Sequence, residues 1–139
     1  MLLARLSSLL FGVYLLAGCA SEQLHGNSAD HAERKGVHSG QRERIEYFYS
    51  ALPTCEIEGY PEIRVVRSAH HGSVTFEKSQ DYPGFSRDNV RWECNKKLLG
   101  STRVFYESNP DFHGNDSVSI EVLFPSGGIR TVTIAITVL

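Results

Sequence analysis

The sequence predicts an all-β fold: one antiparallel β-sandwich of about seven strands, preceded by a signal peptide and a flexible tether. Three observations predict this architecture. Between Ile45 and Leu139, apolar residues recur at every second position in short runs, which is the pattern of strands with one buried face. Glycine, proline, asparagine and aspartate separate these runs, as turns require. Cys55 and Cys94 supply an even pair of cysteines within the same region.

Residues 1–18 have the order of a secretory signal peptide. Arg5 lies near the amino terminus, an apolar run from Leu6 to Ala17 follows, and small residues end it. The run is about a dozen residues long, whereas a helix that spans a bilayer needs roughly 20. The sequence therefore predicts an export signal that is removed, and no membrane-spanning helix.

The end of this segment, Leu16-Ala17-Gly18-Cys19, resembles the lipobox of bacterial lipoproteins. The resemblance implies that Cys19 becomes the first residue of the mature chain and carries a diacylglyceryl group and an N-acyl chain such as palmitate. Each buried methylene contributes about 0.8 kcal/mol, so several acyl chains hold a protein at a membrane. Ala20 stands where an aspartate is associated with inner-membrane retention, which favours the outer membrane of a two-membrane cell. The alternative is an ordinary secreted protein cut nearby, or an uncleaved anchor.

Residues 20–44 are predicted to be a flexible tether, so that residues 19–44 are the lipidated cysteine and tether and residues 45–139 the folded domain. The tether has no aromatic residue and two large aliphatic ones. Such a segment buries too little apolar surface to offset its ordering entropy. Three histidines recur in it, and we interpret them as polar spacer residues because a coil does not preorganise metal ligands. They are His25, His31 and His38.

The domain contains seven predicted strands and no predicted helix. In chain order the strands are residues 45–49, 62–67, 73–78, 90–95, 102–107, 116–124 and 131–138. In the fourth, Val90, Trp92 and Cys94 share one face, so Cys94 is expected to enter the core beside Trp92. Residues 125–128, with two glycines, are expected to form a hairpin turn between the last two strands. Seven short alternating strands are typical of an immunoglobulin-like sandwich.

Cys55 and Cys94 are predicted to form a disulfide. Lipidation takes Cys19 out of the pool of thiols, and exported chains meet oxidising conditions. Closing a loop of about 40 residues stabilises a fold by about 4 kcal/mol when only chain entropy is counted. Two free buried thiols are the alternative. The position of the pair differs from the central bridge of antibody domains, so the sequence predicts a sandwich but not an antibody-type domain.

Residues 100–122, GSTRVFYESNPDFHGNDSVSIEV, resemble the closing half of the cadherin-like and bacterial Ig-like repeats of surface proteins. The matching residues are Tyr106, Phe112, Gly114 and Asp116. Val118 stands where the repeats have an aromatic residue, and upstream the segment SAHHGSVTF resembles the turn that begins such repeats. The resemblance covers roughly residues 60–138. It implies a non-catalytic sandwich that serves display, spacing or adhesion.

The four matching residues have structural roles on physical grounds. Gly114 is expected to take a backbone conformation that is closed to other residues. Asp116 is expected to accept hydrogen bonds from backbone amides where a loop meets a strand. Tyr106 and Phe112 are expected to pack into the core.

Two groups of residues are weak metal candidates. Some cadherin-like domains bind calcium through acids, and by that resemblance the candidates here are Asn109, Asp111, Asn115 and Asp116. Calcium needs six to eight oxygens, and EF-hand spacing is missing. His70, His71 and His113 are the second group, of the type that binds zinc or copper. In the predicted strand order their two loops lie at opposite ends of the sandwich, so we interpret them as turn residues and predict no metal and no cofactor.

Charge and motifs exclude several classes of function. Removal of residues 1–18 takes away one cation, Arg5, so the formal charge changes from −2 to −3, with no basic patch for nucleic acid. The motifs of serine hydrolases, zinc proteases and phosphate-binding loops are missing. We predict a lipid-anchored envelope protein, not an enzyme, whose sandwich is a binding, adhesion or structural module for an envelope protein or polysaccharide. The alternatives are a small envelope inhibitor of the lysozyme-inhibitor kind, and a weak metal- or calcium-binding module.

Overall fold

The structure, a computed structural model, describes residues 33–139. This part of the chain has seven strands: β1 Glu33–Val37, β2 Arg42–Tyr49, β3 Glu62–Arg67, β4 Gly72–Asp81, β5 Leu99–Ser108, β6 Gly114–Leu123 and β7 Ile129–Val138. A short 3-10 helix, Trp92–Lys96, precedes β5. Among these residues no helix has the length and apolarity that crossing a bilayer would need.

The strands form two packed sheets, with the strand orders β1-β7-β6-β3 and β2-β5-β4. Strand β1 runs parallel to the second half of β7, with Glu33 opposite Ile134 and Val37 opposite Val138. The other neighbours are antiparallel. Two packed sheets of four and three strands are the layout of immunoglobulin-like sandwiches, with the first strand here paired to the last. The predicted all-β sandwich of seven strands is confirmed.

The core lies between the two sheets. It consists of the side chains at every second position of the strands, those that face the opposite sheet. Its buried members are Val37, Ile45, Phe48, Val104, Tyr106, Val118, Ile120, Val122, Val132, Ile134, Ile136 and Val138. On β6 and β7 the residues between them are mostly serine and threonine, and they face outward. Apolar residues therefore recur at every second position in the sequence because one face of each strand is buried between the two sheets.

One predicted strand is wrong. Residues 90–95 do not pair with any strand in the structure, and the 3-10 helix Trp92–Lys96 occupies most of them. Its backbone bonds join residues three apart, with Cys94 N–H donating to the Arg91 carbonyl and Lys97 N–H to the Cys94 carbonyl. Cys94 is fully buried, but Trp92 is 37% exposed and does not share the core with it. Three apolar residues at alternate positions fit a strand, yet this short segment satisfies its amides locally.

One observed strand, β1, was not predicted, and it lies inside the segment that the sequence assigns to the tether. The sandwich therefore includes Glu33–Val37, and the predicted boundary between residues 44 and 45 is wrong. Pairing with the edge of β7 supplies the backbone hydrogen bonds of β1, and Val37 alone of its residues is a core member. A strand that depends on edge pairing and one buried side chain leaves little periodic signal. The signal peptide, Cys19, His25 and His31 lie outside the described residues.

The connections between strands divide between two ends of the sandwich. We call one the disulfide end: it holds residues 50–61 between β2 and β3, residues 82–98 between β4 and β5, and the turn 124–128 between β6 and β7. We call the other the Asp116 end: it holds the turns 38–41, 68–71 and 109–113, and the carboxyl terminus. The antiparallel register fixes this division.

Candidate functional site

A disulfide ties the two long connections of the disulfide end together. Cys55 and Cys94 are bonded across a sequence separation of 39 residues, which confirms the predicted pair. Cys94 packs with buried Ala51 and Leu99 in a small cluster that is separate from the main core. A second tie lies beside it, because Arg91 Nε donates to the Ala51 carbonyl at 2.6 Å. The bridge therefore clamps residues 50–61 against residues 82–98.

Side chains also fix the backbone of the longer connection, residues 82–98. The amide of Asn95 makes two bonds to Phe85, accepting from its N–H at 2.9 Å and donating to its carbonyl at 2.8 Å. The Tyr49 hydroxyl accepts from Gly84 N–H at 2.9 Å, and the Tyr49 ring meets the Phe85 ring edge to face at 5.1 Å. These bonds fix the backbone positions from which the exposed side chains of this connection project.

Large hydrophobic side chains are exposed on these two clamped connections. We call them the apolar platform, and its members are Leu52, Ile57, Tyr60, Tyr82, Val90, Trp92 and Leu98. They are seven of the twelve exposed large hydrophobic residues in the described part of the chain, whereas the connections of the Asp116 end have one, Leu139, and two more, Val65 and Val66, lie near that end on β3. Concentrations of exposed apolar residues mark surfaces that contact proteins or membranes. This asymmetry makes the disulfide end the candidate functional site.

The two connections carry charges of both signs in equal number, and Lys78 of β4 adds a cation 5.4 Å from the Tyr60 ring centre. The cations of the connections are Arg87, Arg91, Lys96 and Lys97, and the anions are Glu56, Glu58, Asp88 and Glu93. Some of them pair locally: Lys96 Nζ lies 2.6 Å from Glu93, and the Arg87 guanidinium lies 5.5 Å from the Trp92 ring centre. Because the charges on the two connections balance, they do not select an ionic ligand. The platform is therefore suited to a partner that binds by apolar contact.

The Asp116 end is organised by one buried carboxylate. Asp116 Oδ1 accepts hydrogen bonds from the N–H groups of His70 at 3.0 Å and Ser117 at 2.8 Å. Its Oδ2 accepts from His71 N–H at 2.8 Å and from the Tyr106 hydroxyl at 3.0 Å. Burial raises the pKa of Asp116, but these four bonds outweigh burial and lower the pKa below its ordinary value. Burial and the bond to Asp116 raise the pKa of Tyr106.

The other residues of the predicted motif support this arrangement. Gly114 has a φ of +136°, in the region that favours glycine. Phe112 is half-buried and stacks on the His71 ring with 4.1 Å between ring centres. A side chain at Gly72 would begin 2.6 Å from the Tyr106 ring, so that position admits only glycine. These contacts hold the turns 68–71 and 109–113 together around Asp116.

The expected separation of the histidines is wrong. His70, His71 and His113 lie in turns at the same end of the sandwich, because the false strand at residues 90–95 had shifted the second loop to the other end of the predicted order. His70, His71, Asp111 and His113 are all exposed, and His71 in addition stacks on Phe112. Within residues 33–139, no three His, Cys, Asp or Glu side chains are arranged to hold a metal.

A shallow depression of about 250 Å³ lies at this end, between the histidine turn and the start of β6. Its lining residues are His70, His71, Asn115, Asp116 and Ser117. Both oxygens of its one carboxylate already accept two hydrogen bonds each. His38, the tether histidine that the structure describes, lies in the turn 38–41, where its N–H donates to Glu43 Oε1 at 2.7 Å. The polar groups here therefore serve the fold.

A second buried carboxylate, Asp81, was not predicted from the sequence. It accepts hydrogen bonds from Arg103 at 2.7 Å and Arg44 at 3.1 Å, and from the Ser101 hydroxyl at 2.5 Å. The Arg103 bond is the largest cause that lowers the pKa of Asp81, and it outweighs burial. The sequence carries only a weak signal for this cluster, which is that β4, β5 and β2 have charged residues at outward positions. Which of these residues lie opposite one another depends on the strand register, and the register is not visible in the sequence.

The comparisons with known proteins are sparse. No protein-family model matches the chain, and no curated protein is significantly similar to it. Among solved structures, the solution structure of amebosin is similar to this chain with a TM-score of 0.44 and 18% identity. That similarity covers 76% of this chain and 88% of amebosin.

Proposed function

We propose that this protein is a lipid-anchored protein of the cell envelope whose sandwich is a non-catalytic module that binds through the apolar platform. The observation that carries the proposal is the position of the exposed large hydrophobic residues, on two connections that a disulfide clamps together. Exposed apolar side chains cost solubility, and a rigid backbone keeps them from folding inward. Rigid presentation also lowers the entropy that a binding surface loses when it meets its partner.

The chemistry of the buried carboxylates supports binding over catalysis as the proposed role. Asp81 and Asp116 have lowered pKa values because hydrogen-bond donors surround their ionised forms. A general base or nucleophile needs an oxygen that faces a substrate. Asp116 directs both oxygens to the turns that it joins, and Asp81 directs both to arginine and serine side chains of its own sheet.

The anchor in this proposal is a lipid on Cys19. Its support is the lipobox resemblance of residues 16–19, directly after an apolar segment with the order of an export signal. The mature protein should then begin at Cys19 and carry acyl chains. Intact mass spectrometry of the native protein measures both features, and an unmodified chain cut elsewhere would contradict the anchor.

The binding role is tested by a photo-reactive amino acid placed at Val90, which is 76% exposed on the apolar platform. The matched control has the same group at His113, which is exposed at the Asp116 end. Irradiation of the native envelope should give an adduct from position 90 and none from position 113. If positions 82, 90 and 98 all fail to crosslink, the platform is not a binding surface and the proposal fails.

A further inference from the structure

We infer that the apolar platform rests on the lipid interface of the same membrane that holds Cys19. This inference rests on the proposed function, because it takes the lipid on Cys19 as given. It names the partner of the platform, which is the headgroup and upper acyl region of a bilayer. The argument depends on the direction of β1, the length of chain before it, and the chemistry of the platform.

Because of the direction of β1, the chain enters this strand from the side of the disulfide end. Strand β7 begins at Ile129 beside the turn 124–128, which belongs to the disulfide end, and β1 runs parallel to it. Glu33 pairs with Ile134, halfway along β7. Because parallel strands share one direction, the backbone at Glu33 points back along β7 toward the disulfide end. The carboxyl end of β1 points to the Asp116 end.

The length of chain between anchor and sandwich limits how far the two can separate. Residues 20–32 lie between Cys19 and Glu33, thirteen residues in total. Even fully extended, thirteen residues span at most about 45 Å. Five residues of β7, from Ile129 to Thr133, span about 17 Å, which is the distance from Glu33 to the disulfide end. The chain is therefore long enough for the disulfide end to reach the membrane that holds Cys19, and the backbone before Glu33 leads toward that end.

The side chains at the disulfide end suit a bilayer interface. Trp92, Tyr60 and Tyr82 each combine an apolar ring with a polar group, and such rings concentrate at headgroup depth. Lysine and arginine beside them can extend their charged groups into water while their stems lie on lipid. The eight charges on the two connections cancel and Lys78 beside Tyr60 adds one cation, so contact should not require anionic lipid and should respond little to salt.

A soluble or membrane-distal protein fits this surface less well. It would have to reach the end toward which the backbone before β1 leads, while the Asp116 end has fewer exposed large hydrophobic residues, namely Leu139 and, on β3 close to the turn 68–71, Val65 and Val66. The flanking residues Leu123 and Ile129, beside the turn 124–128, are also exposed and add apolar surface to the membrane-facing end.

The chain has a single tryptophan, Trp92, which makes the inference directly measurable. The lipidated mature protein is reconstituted into phosphatidylcholine vesicles, with and without lipids brominated along their acyl chains. Trp92 emission should shift to shorter wavelength on reconstitution and lose intensity when brominated lipid is present. The matched control is the double variant Trp92→Phe/His113→Trp, whose tryptophan lies at the Asp116 end and should not be quenched.

Further variants separate the possible results. Val90→Asp and Leu98→Asp change exposed residues, so they should keep the fold and the anchor while Trp92 quenching falls. Unquenched Trp92 in a vesicle-bound protein overturns the inference and leaves the proposed function standing, as does a crosslink from position 90 to a protein in place of lipid. Equal quenching of both tryptophan positions also overturns it. Failure of the native protein to partition with membranes overturns the anchor, and with it both proposals.

Discussion

The two ends of the sandwich treat polar and apolar groups in opposite ways. At the Asp116 end a buried carboxylate accepts four hydrogen bonds, from three backbone amides and the Tyr106 hydroxyl. At the disulfide end the buried cluster is small, and seven large hydrophobic side chains are exposed around a disulfide. At the Asp116 end the polar groups around the carboxylate form hydrogen bonds with one another within the fold. The disulfide end leaves apolar side chains exposed, and in the proposed function these side chains contact the partner about one strand length from Asp116.

The largest expected effect comes from Asp116→Ala. The substitution removes the acceptor of four hydrogen bonds, and each buried donor without an acceptor costs about 1–3 kcal/mol, although turn amides can recover some of this from water. We expect the free energy of unfolding, measured by chemical denaturation, to fall by about 3–4 kcal/mol. Asp116→Asn keeps one acceptor oxygen and should cost less. A loss below about 1 kcal/mol for the alanine variant would contradict the structural role of Asp116.

Removal of the disulfide should have the next largest effect. The double variant Cys55→Ala/Cys94→Ala releases a constraint between residues 39 apart, and a disulfide typically stabilises a fold by about 2–4 kcal/mol. The loss should be local as well as global, since the bridge clamps residues 50–61 against residues 82–98. Hydrogen exchange should therefore rise more in residues 82–98 than in residues 109–113. A uniform rise across both ends would mean that the bridge does not organise the platform.

The pH dependence of stability should be smaller and has a fixed sign. The folded-state pKa values of Asp81 and Asp116 are both lowered, so the stability that they contribute is present above the unfolded-state pKa of about 3.9. It is lost as the pH falls through the lower, folded-state values. Denaturation midpoints measured at successive pH values should decline below about pH 4. The double variant Asp81→Asn/Asp116→Asn should be less stable at neutral pH and show a flatter decline, and an unchanged slope would count against both assignments.

The smallest effect on stability is expected for exposed residues, and it sharpens the comparison between the ends. Val90→Asp on the platform and His113→Ala at the Asp116 end should each change the free energy of unfolding by less than about 0.5 kcal/mol. Their effects on membrane contact should differ, because Val90 belongs to the proposed binding surface and His113 does not. Vesicle binding by the unanchored Cys19→Ser protein measures this directly. Equal losses of binding from both substitutions would remove the distinction between the ends.

The core was predictable because it depends on alternation, which the sequence records directly. The inward residues of β6 and β7 follow a period of two without interruption, and the disulfide followed from the parity of three cysteines. The backbone role of Gly114 and the acceptor role of Asp116 were also predictable, because glycine and aspartate have narrow uses where a loop meets a strand.

What the sequence did not reveal depends on contacts between distant segments. Strand β1 forms by pairing with β7 and carries one core residue, so its own composition resembles a tether. The segment 90–95 alternates like a strand but satisfies its amides within a 3-10 helix. That single error turned Trp92 inward and moved His113 to the wrong end. The platform was missed for the same reason: its residues look like core residues until the connections that expose them are in place.

The most direct measurement of the central claim is hydroxyl-radical footprinting of both ends in the intact native envelope, compared with the detergent-released protein. The account predicts that Tyr82, Val90, Trp92 and Leu98 are labelled less in the envelope than after release, while His70, His71 and His113 are labelled equally in both. Equal labelling of the platform residues before and after release, or protection of the histidines in its place, would contradict the account.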